Sequence, residues 1–289
     1  MDVGAFMFHT DYSMPIVDLA RACEARGFES LWAPEHSHIP LTRKSPYPGG
    51  GELPKMYYDA MDPFVILAAA AAATKTLKLG TGVCLVIQRD TIQTAKLAAS
   101  LDQISGGRFL FGIGGGWNQD EMEDHGTVYA TRFKRMREQV EAMREIWTVS
   151  KPEYHGDIVD FPPMMAWPKP VQQPVPIIVG GAFPHAARRA VRYGNGWIPI
   201  AGRASYGNFD DYFPLYKQML ADAGRSLAEV PITMFGAADN YDQLMRYREL
   251  GVARAVAWLE SEIDAWIEER VNGQGTLSAP STVSRQVVR

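Results

Sequence analysis

Two cysteines, Cys23 and Cys84, are all that this 289-residue chain contains. They fall in a helix-like and a strand-like run without the paired spacing of a disulfide framework or a zinc site. Neither is expected, and a reducing compartment is. Basic charge is also short, with 29 Lys and Arg against 33 Asp and Glu for a net charge of −4. Neutralising a phosphate backbone takes clustered cations, so this balance argues against a nucleic-acid surface. No apolar run approaches the ~20 residues of a membrane span, and the opening MDVGAFMF has neither a basic n-region nor a cleavage site. The expectation is a cytoplasmic protein that takes a small-molecule substrate, with no nucleic-acid partner and no membrane association.

What is present is material for a large core. Hydrophobic residues make up 46% of the chain, and short apolar runs alternate with helical patterns. Strands are expected at Val3–Phe8, Ser30–Ala33, Leu77–Val86, Arg108–Ile113, Val175–Val179, Gly196–Ile200, Val230–Phe235 and Arg254–Leu259. Helices are expected at Ile16–Arg26, Pro63–Ala73, Thr91–Gln103, Phe133–Val149, Pro184–Tyr193, Tyr206–Ala223, Tyr241–Leu250 and Glu262–Val271. Eight strand–helix pairs predict an α/β chain folded as a (β/α)8 TIM barrel, which commonly takes about 250 residues. A doubly wound parallel sheet is the competing arrangement. One domain is expected over residues 1–271, followed by a poorly ordered tail over 272–289, "NGQGTLSAPSTVSRQVVR", which has low complexity. Two long connections depart from a minimal barrel. His36–Asp62, after the second strand, lies at the end where barrel active sites form and is a candidate lid. Lys151–Pro176, before the fifth strand, is expected to wrap the outside.

Several short stretches carry chemistry. In "SGGRFLFGIGGGWNQDE", residues 105–121, an apolar run empties into Gly112, Gly114, Gly115 and Gly116. A Rossmann reading also needs this loop to open the first βαβ unit and an acidic residue about 20 positions on, and neither condition is evident. In "IIVGGAFPHAARRA", residues 177–190, a strand meets Gly180 and Gly181 before a helix that starts near Pro184. Free N–H groups at a helix start favour a phosphate, and glycines allow its approach; the alternative is a tight turn and no more. His185 lies in that first turn. "WAPEHSHIP" sets Glu35 and His36 at the mouth of the second strand, and "LGTGVCLV" sets Gly82 and Val83 at the end of the third, where an ordinary glycine bulge would also fit. The pair His36 and His38 admits a metal-hydrolase reading, but His125 and His155 are poorly placed to join it, and no metal is expected. Asp102 and Arg108 read as a structural ion pair, and "FKRMREQVEAMREIW" as an amphipathic helix whose charges face water.

Taken together, "ARGFESLWAPEH", "LKLGTGV", "AASLDQISGGRFLFGIGGGW", "PKPVQQPVPIIVGG" and "YGNGWIP" resemble the luciferase-like monooxygenase superfamily, in particular its branch that uses coenzyme F420. The resemblance implies a (β/α)8 barrel that binds a flavin or deazaflavin at its C-terminal mouth, and a homodimer. It implies that Gly114, Gly115 and Trp117 lie beside the ring and that Gly180, Gly181, Ala182, Phe183 and His185 lie by the phosphate. It implies a cis peptide at Gly82–Val83 against the ring. Glu35 and His36 are implied at its reactive face, where His36 orients a substrate hydroxyl or moves its proton. The implied activity is hydride transfer between F420 and a small organic substrate. With flavin mononucleotide (FMN) as the alternative cofactor the chain would be a monooxygenase; a non-catalytic cofactor-binding protein and a metal-dependent hydrolase are the remaining readings. Two departures bear on substrate. Trp117 stands where the sugar-phosphate dehydrogenases of that branch carry a glutamate, and Pro40 where they carry a tryptophan, which implies a more apolar pocket. Arg43, Lys44 and Lys55 in the lid are candidates to meet the anionic tail of F420, or plain solvated charges.

Overall fold

Short apolar runs that cannot bury both faces alone assemble here side by side. The computed structural model describes residues 1–203, 207–238 and 240–259. Eight parallel strands, β1 (Asp2–Phe6), β2 (Ser30–Ala33), β3 (Lys78–Thr81), β4 (Phe109–Ile113), β5 (Ile177–Gly180), β6 (Gly196–Ile198), β7 (Thr233–Ala237) and β8 (Arg254–Trp258), pair in the order β6-β5-β4-β3-β2-β1-β8-β7. Bridges from Trp197 to Ile232 and from Ile200 to Phe235 bring β6 to β7, so the sheet closes into a barrel. Helices Ile16–Ala25, Pro63–Ala73, Thr91–Ser105, Arg132–Thr148, His185–Tyr193, Phe209–Asp222 and Tyr241–Leu250 fill the seven intervals. The expected helix at Glu262–Val271, the tail and the boundary between them lie outside the described residues. Among the described residues no helix is long and apolar enough to cross a membrane.

The third strand is shorter than its sequence predicts. The regular strand ends at Thr81, next to a cis Gly82–Val83 peptide; Cys84 still bridges to β4, its N–H donating to Gly112 O at 2.8 Å and its carbonyl accepting from the Gly114 N–H at 2.9 Å, and the N–H of Leu85 goes to the Glu35 carboxylate, 2.7 Å away. The segment before β5 does wrap the outside. It forms a small antiparallel hairpin, Tyr154–His155 with Asp160–Phe161, and Lys169 donates to the carbonyls of Ile146 and Val149 at 2.6 Å, capping the end of helix Arg132–Thr148.

Two charge assignments need correction. Asp102 and Arg108 do not pair. Asp102 accepts from the backbone N–H and side-chain amide of Gln172, whereas Arg108 donates to the carbonyls of Ala71, Thr74, Leu77 and Ser105. Arg108 lies beside the C-terminal end of helix Pro63–Ala73, where unpaired carbonyls and the negative end of the helix dipole favour a cation. Nor do all the charges of helix Arg132–Thr148 face water: Glu138 is buried and accepts from the N–H groups of Ile158 and Val159, which fastens the hairpin.

His9, just beyond β1, is 2% exposed, and neither ring nitrogen has a partner among the described residues. Burial pushes its pKa down to about 4 from an ordinary 6.5. Between those values the unfolded chain binds the proton and the folded one does not. The stabilisation is therefore complete above pH 6.5 and is lost as pH falls toward 4, by about 3 kcal/mol. Denaturant unfolding from pH 7 to 4 is expected to show that slope and His9→Gln to flatten it; equal slopes would remove His9 as the cause.

Candidate active site

The loops after β2, β3, β4 and β5 converge at the C-terminal mouth, and Val83 is at their centre. A Cβ on Gly114 would lie 2.5 Å from Val83 Cγ2, and one on Gly180 would lie 2.7 Å from Val83 Cγ1. Both positions are glycine because the Val83 isopropyl group occupies the space. Gly115 yields in the same way to the Phe133 ring, 2.5 Å from where its Cβ would be. Gly181 has φ +129, a backbone conformation that L side chains rarely adopt. Its N–H donates to Ile198 O at 3.0 Å, and its carbonyl accepts from the Trp197 indole at 2.9 Å. The missing side chains expected to admit a cofactor thus admit protein, and the Gly181 N–H is already spent. Beyond this turn Phe183 stacks on Tyr212 with centroids 5.4 Å apart, Ala182 lies in the turn itself, and His185 is exposed at the helix start.

His36 and Glu35 point to different jobs. Glu35, 6% exposed, accepts from the Leu85 N–H on one oxygen and from Arg89 Nε at 2.5 Å on the other; Arg89 also pairs with Asp62, the N-cap of helix Pro63–Ala73. Both carboxylate oxygens are therefore engaged in joining three loops. His36 instead places Nδ1 2.9 Å from Glu121 Oε2, with the two side chains 7% and 1% exposed. Glu121 Oε1 accepts from the Ser37 N–H at 3.2 Å. The other ring nitrogen, Nε2, makes no hydrogen bond among the described residues.

Glu121 is not among the residues expected from the sequence, although "NQDE" carries a signal. Asn118 caps helix Gln119–Asp124, and a glutamate three residues after such a cap marks a helix start. Here that glutamate crosses to His36 and Ser37 instead of turning back to the cap. The same helix holds the lid by its outer face: His38 bonds Ser37 Oγ and Asp124 at 2.9 Å each, Ser37 Oγ meets His125 at 2.7 Å, and Lys44 pairs with Glu123 at 2.6 Å. Lys55 pairs with Asp59. Lys44 and Lys55, offered above as partners of an anionic tail, are thus matched locally. Both nitrogens of His38 are committed, and among the described residues no group of three His, Cys, Asp or Glu side chains is arranged to hold a metal.

Aromatic rings enclose the His36 imidazole. Tyr57 lies 5.3 Å away and Trp117 5.9 Å away, and Tyr47 packs on both. Phe8 backs Tyr57 at 4.6 Å. Burial, helped by the Tyr47 hydroxyl, raises the Tyr57 phenol above its ordinary range, so it stays neutral. An isoalloxazine-like ring offers carbonyl oxygens at its edge, and the mouth holds an unmet donor for one: Asn118 Nδ2, in a residue 1% exposed beside the glycine loop, has no partner among the described residues. The residues present fit such a group.

The sequence profile of the luciferase-like monooxygenase family matches residues 9–259. An uncharacterised protein of Mycobacterium tuberculosis is 38% identical over 264 residues, 89% of this chain and 91% of its own. An F420-dependent glucose-6-phosphate dehydrogenase of Amycolatopsis mediterranei is 26% identical over 223 residues, 76% of this chain and 63% of that enzyme. Among solved structures, an F420-dependent secondary alcohol dehydrogenase in complex with an F420-acetone adduct superimposes with a TM-score of 0.68 at 19% identity, covering 93% of this chain and 97% of that one. At that identity the likeness speaks to the fold, which is the closed parallel barrel described above. With a profile match that runs from the end of β1 to the end of β8, the chain belongs to the luciferase-like monooxygenase family.

Proposed function

We propose that the protein is an oxidoreductase that uses coenzyme F420 to exchange a hydride with a small organic substrate. The observation that carries this reading is the His36–Glu121 pair, buried among aromatic rings at the barrel mouth. When bound, the deazaflavin supplies a ring carbon that accepts or donates the hydride. Asn118, Val83 and the turn at Ala182 and Phe183 are the residues that would hold it. Glu121 fixes the His36 ring by its Nδ1 edge, which leaves Nε2 to hold or move the proton of a substrate hydroxyl. Glu35 positions the Val83 loop through Leu85 and takes no part in proton movement. Trp117, Tyr47 and Tyr57 exclude water around that nitrogen. The Tyr47, Tyr57 and Trp117 rings favour an apolar body on the substrate, and Arg203, whose guanidinium acts on the Tyr57 hydroxyl, is the cation that stands at this wall.

The cofactor assignment draws on the F420-dependent relative and on the sequence motifs, while the family as a whole is described as monooxygenase. Fluorescence titration of the purified protein with F420 and with FMN separates the two. F420 is expected to bind more tightly. Tighter FMN binding would replace hydride transfer with flavin-dependent oxygenation at the same site.

A further inference from the structure

The lid and the short helix Gln119–Asp124 complement each other in charge along their length. The lid strip 36–45, "HSHIPLTRKS", carries histidines, an arginine and a lysine but no carboxylate, whereas the helix strip 117–125, "WNQDEMEDH", carries Asp120, Glu121, Glu123 and Asp124 but neither lysine nor arginine. Among the described residues, each one from Gln119 to His125 except Met122 bonds to the lid. The Gln119 N–H donates to Ser45 Oγ at 3.2 Å, and Asp120 accepts from the Lys44 N–H at 2.6 Å. Glu123 meets Lys44 Nζ, Asp124 meets His38, and His125 meets Ser37 Oγ. Glu121 adds its contacts to His36 and to the Ser37 N–H. A helix this short does not persist by itself, so these bonds, with the fully buried Met122 beneath, decide where it lies.

Both strips run into unpacked glycines. Gly50 and Gly51 follow the lid strip and Gly126 follows the helix strip; all three have positive φ, and a Cβ on any of them would meet nothing within 4 Å. Joints of this kind absorb a change of chain direction without breaking a packed contact. The dyad is divided between the strips, with His36 at the start of the lid and Glu121 in the helix, so its 2.9 Å contact exists only while the two are together. We propose that the lid and this helix close over the mouth as one composite flap, and that closing it assembles the His36–Glu121 dyad. Lys44 with Glu123, and His38 with Asp124, are then positioning residues that act through Glu121. That the dyad moves a substrate proton rests on the functional reading above; that the flap sets its geometry does not. An open flap admits ligand but leaves His36 without its carboxylate, which ties reaction to closure.

Amide hydrogen exchange of the full chain without ligand, together with nitrogen NMR of the His36 ring assigned by its loss in His36→Gln, tests the flap. Lys44→Met alters the lid alone and Asp124→Ala the helix alone. Each is nevertheless expected to speed exchange in both strips, by roughly two- to fivefold, and the double variant by about tenfold. Asp124→Asn, which keeps an acceptor for His38, should recover most of that loss. Glu121 at Nδ1 keeps the ring proton on that nitrogen, so wild type should show His36 in one tautomer and the double variant should show both. High salt should loosen both strips of wild type together, a measurement that needs no variant to fold. Exchange that rises only in the substituted strip, or in neither, would overturn the composite flap. Strips that loosen together while the His36 signals stay unchanged would overturn its role in assembling the dyad. If neither F420 nor FMN binds wild type, the functional reading falls, and the flap is still decided by these ligand-free measurements.

Discussion

His36→Ala is expected to slow reduction or oxidation of the bound coenzyme by something like the ~10²–10⁴ of a general acid or base, with cofactor affinity nearly intact. The reason is the geometry of the dyad. Glu121 holds Nδ1, the free edge is Nε2, and of the rings that enclose it the Tyr57 phenol is kept neutral by burial. Glu121→Gln keeps a hydrogen-bonding group at 2.9 Å but removes its charge, so it tests positioning. It should lower the rate less than His36→Ala and move the pH profile, whereas a purely structural role would leave the profile in place. The metal alternative makes an opposite claim on the same variant. A stoichiometric zinc-like ion in wild type that disappears in His36→Ala would overturn the assignment.

Arg89→Met should be the most damaging single change to stability outside the barrel core, costing about 3–5 kcal/mol. Glu35 is buried and gives one oxygen to Arg89 and the other to Leu85 N–H. Removing the guanidinium leaves that carboxylate without a counter-charge. The contact of Arg89 with the half-exposed Asp62 contributes little by comparison. Glu35→Gln combined with Arg89→Met should recover part of the loss, and urea unfolding of the two single variants and the double one measures the coupling. A loss below about 1 kcal/mol in Arg89→Met would show that water reaches Glu35 and that the pair is a surface feature.

The barrel was legible because each strand–helix unit carries its own pattern, and all eight strands fall within the expected runs apart from their ends. The site was half legible. Glu35, His36, Gly82 and Val83 stand next to strand ends, and a motif is a local object. Glu121 belongs to another loop, and nothing in its neighbourhood says that it reaches across to His36. The glycines look in sequence like openings for a ligand, because sequence shows a missing side chain but not what fills the space; Val83 and Phe133 fill it. Arg108 was paired with Asp102 on proximity in sequence, whereas helix ends offer carbonyls that no letter in the chain announces.

The seating of Val83 between Gly114 and Gly180 also constrains how this chain can change over generations. A methyl group at either glycine has no room while valine remains, and a smaller residue at 83 removes the closest contact at both, leaving Ile113 O 3.3 Å from a Cβ at 180. The three positions, carried by three different loops, therefore do not vary independently. Alanine at 114 or 180 is a harmful substitution on one background and a tolerable one on another, so history decides which sequences are reachable. Lineages that shrink residue 83 first gain access to side chains at the mouth that this lineage, holding valine, cannot sample one step at a time.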